Sequence, residues 1–224
     1  MTFLTILFSL LPGFAWLFFY LKEDLHPEPK KLIISTFLMG MAFSFFALAL
    51  QIIIRPFLGG WGFAEYAFFS LFILAITEEL MKFSAAYFNV HADPAFDEPV
   101  DAMIYMVIAS LGFATVENIA AVHGNQSPGA LLSDVLQITS LRFVGATLLH
   151  TLTSALVGYF WAVSIREFGQ KRFIVYGLVL ASALHAAFNY LILSYGNIAY
   201  SLLLLGIVGF FVLGDFERLK EKSL

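Results

Sequence analysis

Apolar runs of about 20 residues follow one another along this chain, each ended by a short polar or turn-forming segment. A helix rises about 1.5 Å per residue, so a run of that length crosses about 30 Å of hydrocarbon. Seven spans are read, over residues 3–21, 32–54, 65–88, 100–122, 143–165, 173–195 and 198–214. No segment between them is long enough for a soluble domain. The pattern predicts an all-α, polytopic transmembrane helical bundle of about seven spans, with residues 1–224 forming one integral-membrane domain. Only Tyr195-Gly196-Asn197 separates the last two spans, so the seventh is the least sharply delimited. Span two, rich in Phe, Leu and Ile, reads as carrying packing information alone.

Two loops have texture. Residues His91–Asp101 are acidic, with Asp93, Asp97, Glu98 and Asp101, and Pro99 stands where proline opens a helix. Residues Gly124–Gly129 read as a turn, followed by a short interfacial helix over Ala130–Thr139.

Composition agrees with the pattern: 60% of the 224 residues are hydrophobic and 12% are charged. The first span lacks a basic leader and a small-residue cleavage site, so a retained helix is expected. Net charge is −4, but the basic residues cluster. Lys22, Lys30 and Lys31 follow span one, Arg166, Lys171 and Arg172 follow span five, and Arg218, Lys220 and Lys222 follow span seven. Seven spans bring all three clusters to one side. The positive-inside rule makes that side cytoplasmic, the N-terminus external and the protein a multi-pass component of the cell membrane. The chain has no cysteine, which excludes disulfides, thiolate metal sites and cysteine nucleophiles.

The polar interruptions of the spans are more informative than the loops. Span three contains Glu78, Glu79 and Lys82, three charged residues within an apolar segment. A single charge at the bilayer centre costs roughly 2.5–3.5 kcal/mol, so three in a turn and a half require a use. Span four adds Asp101, Tyr105, Glu117 and Asn118; span five adds Arg142 and His150; span six adds His185 and Asn189, one turn apart on one face. Residues 65–195 are thus the polar functional core. Each piece has a plainer reading: Glu78 and Lys82 could form a packing ion pair, and His150 or His185 a hydrogen-bonding strut. Glu117 with Arg142 reads as a structural pair, and Asp101 with Tyr105 as shaping one end of span four.

Together these groups suit acid–base activation of water. Glu78 or Glu79 could take the proton, with Lys82 setting the charge of the pair. His185 and Asn189 could donate to the oxyanion formed at a scissile carbonyl, and His150 could help hold the water. A metal-free mechanism with no cofactor is the preferred reading. Zinc held by Glu78, His150 and His185 is the alternative, since imidazole and carboxylate both suit that ion. No HExxH and no Gly-x-Ser-Gly is present.

Glu78-Glu79-x-x-Lys82, Phe96-Asp97-Glu98 with Asp101 and Tyr105, Gly112-Phe113-Ala114-x-x-Glu117-Asn118, His150 and His185-x-x-x-Asn189 resemble the motif series of PrsW-type intramembrane proteases. That family is similar to the CAAX prenyl proteases and to the Aph-1 subunit of gamma-secretase. The resemblance runs from about residue 1 to 214, and its specific motifs lie in spans three to six. It implies a glutamate-dependent protease that cuts a single-pass membrane protein, typically an anti-sigma factor, near its extracytoplasmic side. That cut would start regulated intramembrane proteolysis. The partners implied are that substrate and the lipid bilayer, with no nucleic acid. Carried over by residue, the paired glutamates are Glu78 and Glu79, His150 is the intermediate histidine, and His185 with Asn189 is the late motif. Ala102 and Met106 stand where family members often carry glycine, which bears on local helix packing. An ion- or proton-coupled transporter, a non-catalytic scaffold like Aph-1 and a CAAX-type prenyl protease are the competing readings.

Overall fold

In a computed structural model of the chain, residues 3–22, 26–124, 132–167 and 169–220 are described. They form α1 (Phe3–Tyr20), α2 (Lys30–Gly60), α3 (Phe68–Val90), α4 (Asp101–Gly124), α5 (Leu132–Arg142), α6 (Leu148–Arg166), α7 (Arg172–Tyr195) and α8 (Ile198–Lys220). No strand occurs among the described residues. Each expected span overlaps a helix. Five helical stretches are long and apolar enough to cross a membrane: α2, α4, α5 continued by α6, α7 and α8. The last is better formed than its narrow separation suggested. Gly196, at φ +63°, closes α7 and lets α8 begin two residues later.

Helix α4 is the axis of the bundle, packed against α1, α2, α3 and α6. Every side chain from Asp101 to Thr115 on it is buried. Lipid tails are as apolar as the helices, so helices associate there through close packing rather than by escape from water. Small residues permit that closeness. A Cβ on Gly40 would lie 1.9 Å from the Ala109 carbonyl oxygen, and one on Gly112 would lie 2.0 Å from that of Phe37. On the other side of α4, a Cβ on Gly158 of α6 would approach the Met103 Cα to 2.5 Å. The crossing near Ala102 therefore takes its glycine from the facing helix, which removes the packing concern raised by Ala102.

Helix α2 shows how the surface is divided. Its buried stripe is mostly small or polar (Thr36, Gly40, Ser44, Ala47, Gln51), while Ile34, Phe45, Phe46 and Ile52 are exposed. Such a face needs an apolar solvent. The C-terminal ends of α1, α6 and α8 and the N-terminal ends of α2, α4 and α7, where Lys22, Lys30, Lys31, Arg166, Lys171, Arg172 and Arg218 stand, meet at one end of the bundle. There Tyr20 of α1 meets Phe216 of α8 with ring centroids 5.8 Å apart, and Phe96 stacks on Trp161 of α6 at 4.8 Å. Tyr105 donates to Glu28 just before α2, and the backbone N–H groups of Asp97 and Glu98 donate to Asp101 at 3.0 and 2.8 Å. Those contacts close the start of α4, as expected of Asp101 and Tyr105.

One expectation fails. No break separates a short interfacial helix from span five; α5 runs through a π-helical turn, Phe143–Thr147, into α6. The wider turn rearranges backbone hydrogen bonds, and the Trp16 indole donates to the Phe143 carbonyl at 3.0 Å. The proposed turn at residues 125–129 and the start of the expected helix at residues 130–131 lie outside the described residues.

Candidate active site

Successive residues on a helix point about 100° apart, so adjacent glutamates on α3 cannot share surroundings. Glu79 faces the bundle interior and Glu78 faces α2. Glu79 and Lys82 are fully buried, and their pairing is direct: Lys82 Nζ donates to Glu79 Oε1 at 2.6 Å. The same oxygen lies 2.8 Å from His185 Nδ1 and 3.1 Å from Thr153 Oγ1. Lys82 thus pairs with the glutamate three residues before it. The alternative reading, a packing pair of Lys82 with Glu78, does not form, because the helix turns Glu78 away.

The tautomers follow from the partners. A carboxylate only accepts, so His185 Nδ1 donates to Glu79, while its Nε2 stands 3.6 Å from Glu78 Oε2. His150 is arranged the other way. The Lys82 ammonium, which only donates, lies 3.0 Å from its Nδ1, so Nε2 bears the proton and donates to Glu117 Oε2 at 2.8 Å. The two imidazoles meet edge-on, centroids 5.1 Å apart. Glu117 is also 3.5 Å from Arg142 Nη2, and the Arg142 Nε donates to Asn118, whose amide donates to Thr147 in the π turn at 3.1 Å. The expected structural pair of Glu117 and Arg142 therefore exists, but it reaches the site through His150.

Charges balance in this network with one remainder. Lys82 accompanies Glu79 and Arg142 accompanies Glu117. Among the described residues no lysine or arginine pairs with Glu78. Its Oε1 instead accepts from Gln51 Nε2 at 2.7 Å. Gln51 corrects the reading of span two as packing alone. Its signal was legible as the one side-chain amide in an otherwise apolar stretch of α2. Two cavities reach Glu78, one between α2 and α4 and one between α2, α3 and α7, and Asn189 lines the second. Spans three to six thus converge as expected, with α2 added.

The profile of the PrsW family of intramembrane metalloproteases matches residues 28–214. The chain belongs to that family. Proteins named Protease PrsW are similar to it over most of their length. The one from Geobacillus kaustophilus is 30% identical over 192 residues, covering 82% of this chain and 77% of that protein. The Bacillus subtilis protein is 26% identical over 196 residues, covering 86% and 84%. The Clostridioides difficile protein is 24% identical over 196 residues, covering 85% and 79%. No solved structure matches the chain. As a member of the PrsW family the chain is a multi-pass membrane protease.

A metalloprotease family directs attention to the donor set. One ligand atom from each of Glu78, His150 and His185 lies within 4.8 Å of the others. Tetrahedral zinc has bonds of about 2.0–2.1 Å and so holds its ligands roughly 3.3 Å apart, so atoms up to 4.8 Å apart would draw together around it. Glu79 behind His185 Nδ1 is the carboxylate that commonly orients a ligating imidazole. Glu78 and His185 offer donor atoms to a divalent ion, and His150 would join them once its Nε2 proton passes to Glu117. Bound there, it would polarise a scissile carbonyl and acidify water.

Proposed function

We propose that this chain hydrolyses a peptide bond within a single-pass membrane protein, with Glu78, His150 and His185 as its reaction centre. The observation that carries this reading is Glu78 itself. Among the described residues it pairs with no lysine or arginine, it lies beside two imidazoles, one of them 3.6 Å away, and it lines two cavities. An ionisable group held inside a membrane bundle away from lysine and arginine is costly, and reaction chemistry is a sufficient reason to keep it.

The residues divide the work. Glu79 fixes the proton of His185 on Nδ1, leaving Nε2 toward the substrate. Lys82 neutralises Glu79, so the carboxylate orients His185 without adding net charge. Gln51 holds Glu78 in place. Asn189, which lines the outer cavity with Glu78, offers an amide N–H to the developing oxyanion. Glu117 accepts the proton of His150. Glu78, His150 and His185 would hold a divalent ion if one is used. A metal-free form is the second reading, favoured by Lys82: with its ammonium on Nδ1, His150 presents N–H rather than a lone pair from Nε2. In that form Glu78 takes the proton from water directly.

Orientation belongs to the same proposal. The shared end of the basic clusters is cytoplasmic and the N-terminus external. Glu78 and the histidines then lie toward the outer half, and the cut falls near the extracytoplasmic side of a substrate such as an anti-sigma factor. Cleavage of candidate single-pass proteins in liposomes, with chelator and then with zinc restored, tests the reading. Activity that needs Glu78 supports it; chelator loss with zinc recovery selects the metal form. Undiminished cleavage by Glu78→Gln overturns the proposal.

A further inference from the structure

Two cavities touch Glu78, and their walls differ. The cavity between α2, α3 and α7 carries Arg55, Glu65, Tyr66 and Asn189, with Arg55 and Glu65 both largely exposed at the helix ends. Its exposed charged pair suits an opening toward water. The cleft between α2 and α4 has Phe45, Leu48, Val116 and Ala120 at its rim and Gln51, Glu78 and Glu117 at its floor. Phe45 and Leu48 are exposed on the apolar flank, so this cleft opens sideways, where lipid would lie. Gln51 and Glu78 line both.

We propose that the cleft between α2 and α4 is the lateral entrance for the substrate's transmembrane segment. We assign to Gln51 the role of positioning residue, holding Glu78 where that cleft meets the water-facing cavity. The proposal rests on the proteolytic reading of Glu78. The occupant is an apolar membrane segment locally unwound at its scissile bond.

Three observations carry it. First, the helices that form the cleft are clamped at one end and free at the other. Gly40 against Ala109 and Gly112 against Phe37 bring the two backbones together. One to three turns further along both chains, at Leu48, Gln51, Val116 and Ala120, they enclose the cleft instead. Second, the lining matches the occupant. Apolar rim residues suit the side chains of a membrane segment, and the floor offers an amide and carboxylates to a backbone whose helical hydrogen bonds have opened. Third, a larger apolar groove lies between α6, α7 and α8, lined by Leu180, Leu204 and Phe211, but it holds no residue of the site. Size would favour that groove; contact with the reacting carboxylate favours the cleft. Gln51 itself is buried, donates to Glu78 at 2.7 Å and lies 3.4 Å from the Leu74 carbonyl oxygen, so it ties α2 to α3 across the junction.

The test uses the full chain in liposomes with a cleaved single-pass substrate. A photo-crosslinking amino acid is placed at Leu48 or at Leu204 in a Glu78→Gln background. Crosslinks to the substrate are expected from Leu48 and not from Leu204. Ala120→Trp, which narrows the rim, should raise KM about tenfold or more with kcat within about twofold. Gln51→Leu should lower kcat about tenfold or more with KM little changed, since the loss is of alignment rather than of binding. Crosslinks from Leu204 alone, or wild-type KM in Ala120→Trp, overturn the entrance. Wild-type kcat in folded Gln51→Leu overturns the positioning role. Cleavage that survives Glu78→Gln would instead remove Glu78 from the reaction centre, so the two failures are distinguishable.

Discussion

From Asp101 to Thr115 every side chain of α4 is buried, whereas between Val116 and Ala120 the same helix turns Glu117 toward a cleft and leaves Ala120 exposed. The first half is held by backbone contact at Gly40, Gly112 and Gly158. The second half faces the glutamates, histidines and arginine. Polar groups weaken apolar packing and must satisfy one another, since unpaired groups are costly away from water. Concentrating them in one half leaves the other free to be close-packed. The close-packed half then fixes the helix positions on which the polar half depends.

The largest effect should come from Glu79, which joins Lys82, His185 and Thr153 in the polar network. Glu79→Gln removes the counter-charge of fully buried Lys82. A loss of about 3–5 kcal/mol in stability is expected, with cleavage abolished. Thermal unfolding in detergent reads the first and the liposome assay the second. Glu78→Gln should separate the two readouts: cleavage falls about 10²–10⁴-fold while the unfolding temperature stays near the wild type. Equal destabilisation by the two variants would erase the distinction drawn between adjacent glutamates.

Asn189→Ala sharpens the account of the open half. Turnover should drop about 10²–10³-fold with KM little altered, because oxyanion donation matters mainly in the transition state. A change confined to KM would make Asn189 a binding residue instead. The smallest effect tests the packed half. Gly40→Val inserts side-chain atoms against the Ala109 carbonyl and should cost about 1–3 kcal/mol. The fraction that remains folded should still cleave. Unchanged stability would show that the α2–α4 crossing is looser than the contact distances imply.

Helix existence and the address of the polar core were legible early because hydropathy is a local property that sums along a segment. An apolar run of about 20 residues is read without knowing its neighbours. The cost of a charge in such a run marked Glu78, Glu79 and Lys82 in the same way. The counting of basic clusters needed only the order of spans. Boundaries were weaker where no local signal marks them: nothing in Leu132–Thr147 announces a π turn in place of a break.

Partner choice was beyond the sequence. Spacings of three and four residues both bring side chains together on a helix, so Lys82 could have paired with either glutamate. The rotation of α3 against α6 and α7 settled on Glu79. Gln51 lies 27 positions before Glu78, and its carbonyl-and-amide side chain in an apolar span could equally have faced a neighbouring backbone. The sequence by itself determined which helices exist, where their costly groups lie and which family they spell. Tertiary structure alone decided which glutamate pairs with Lys82, which does not and which helix holds the second, because each depends on how whole helices are turned against one another.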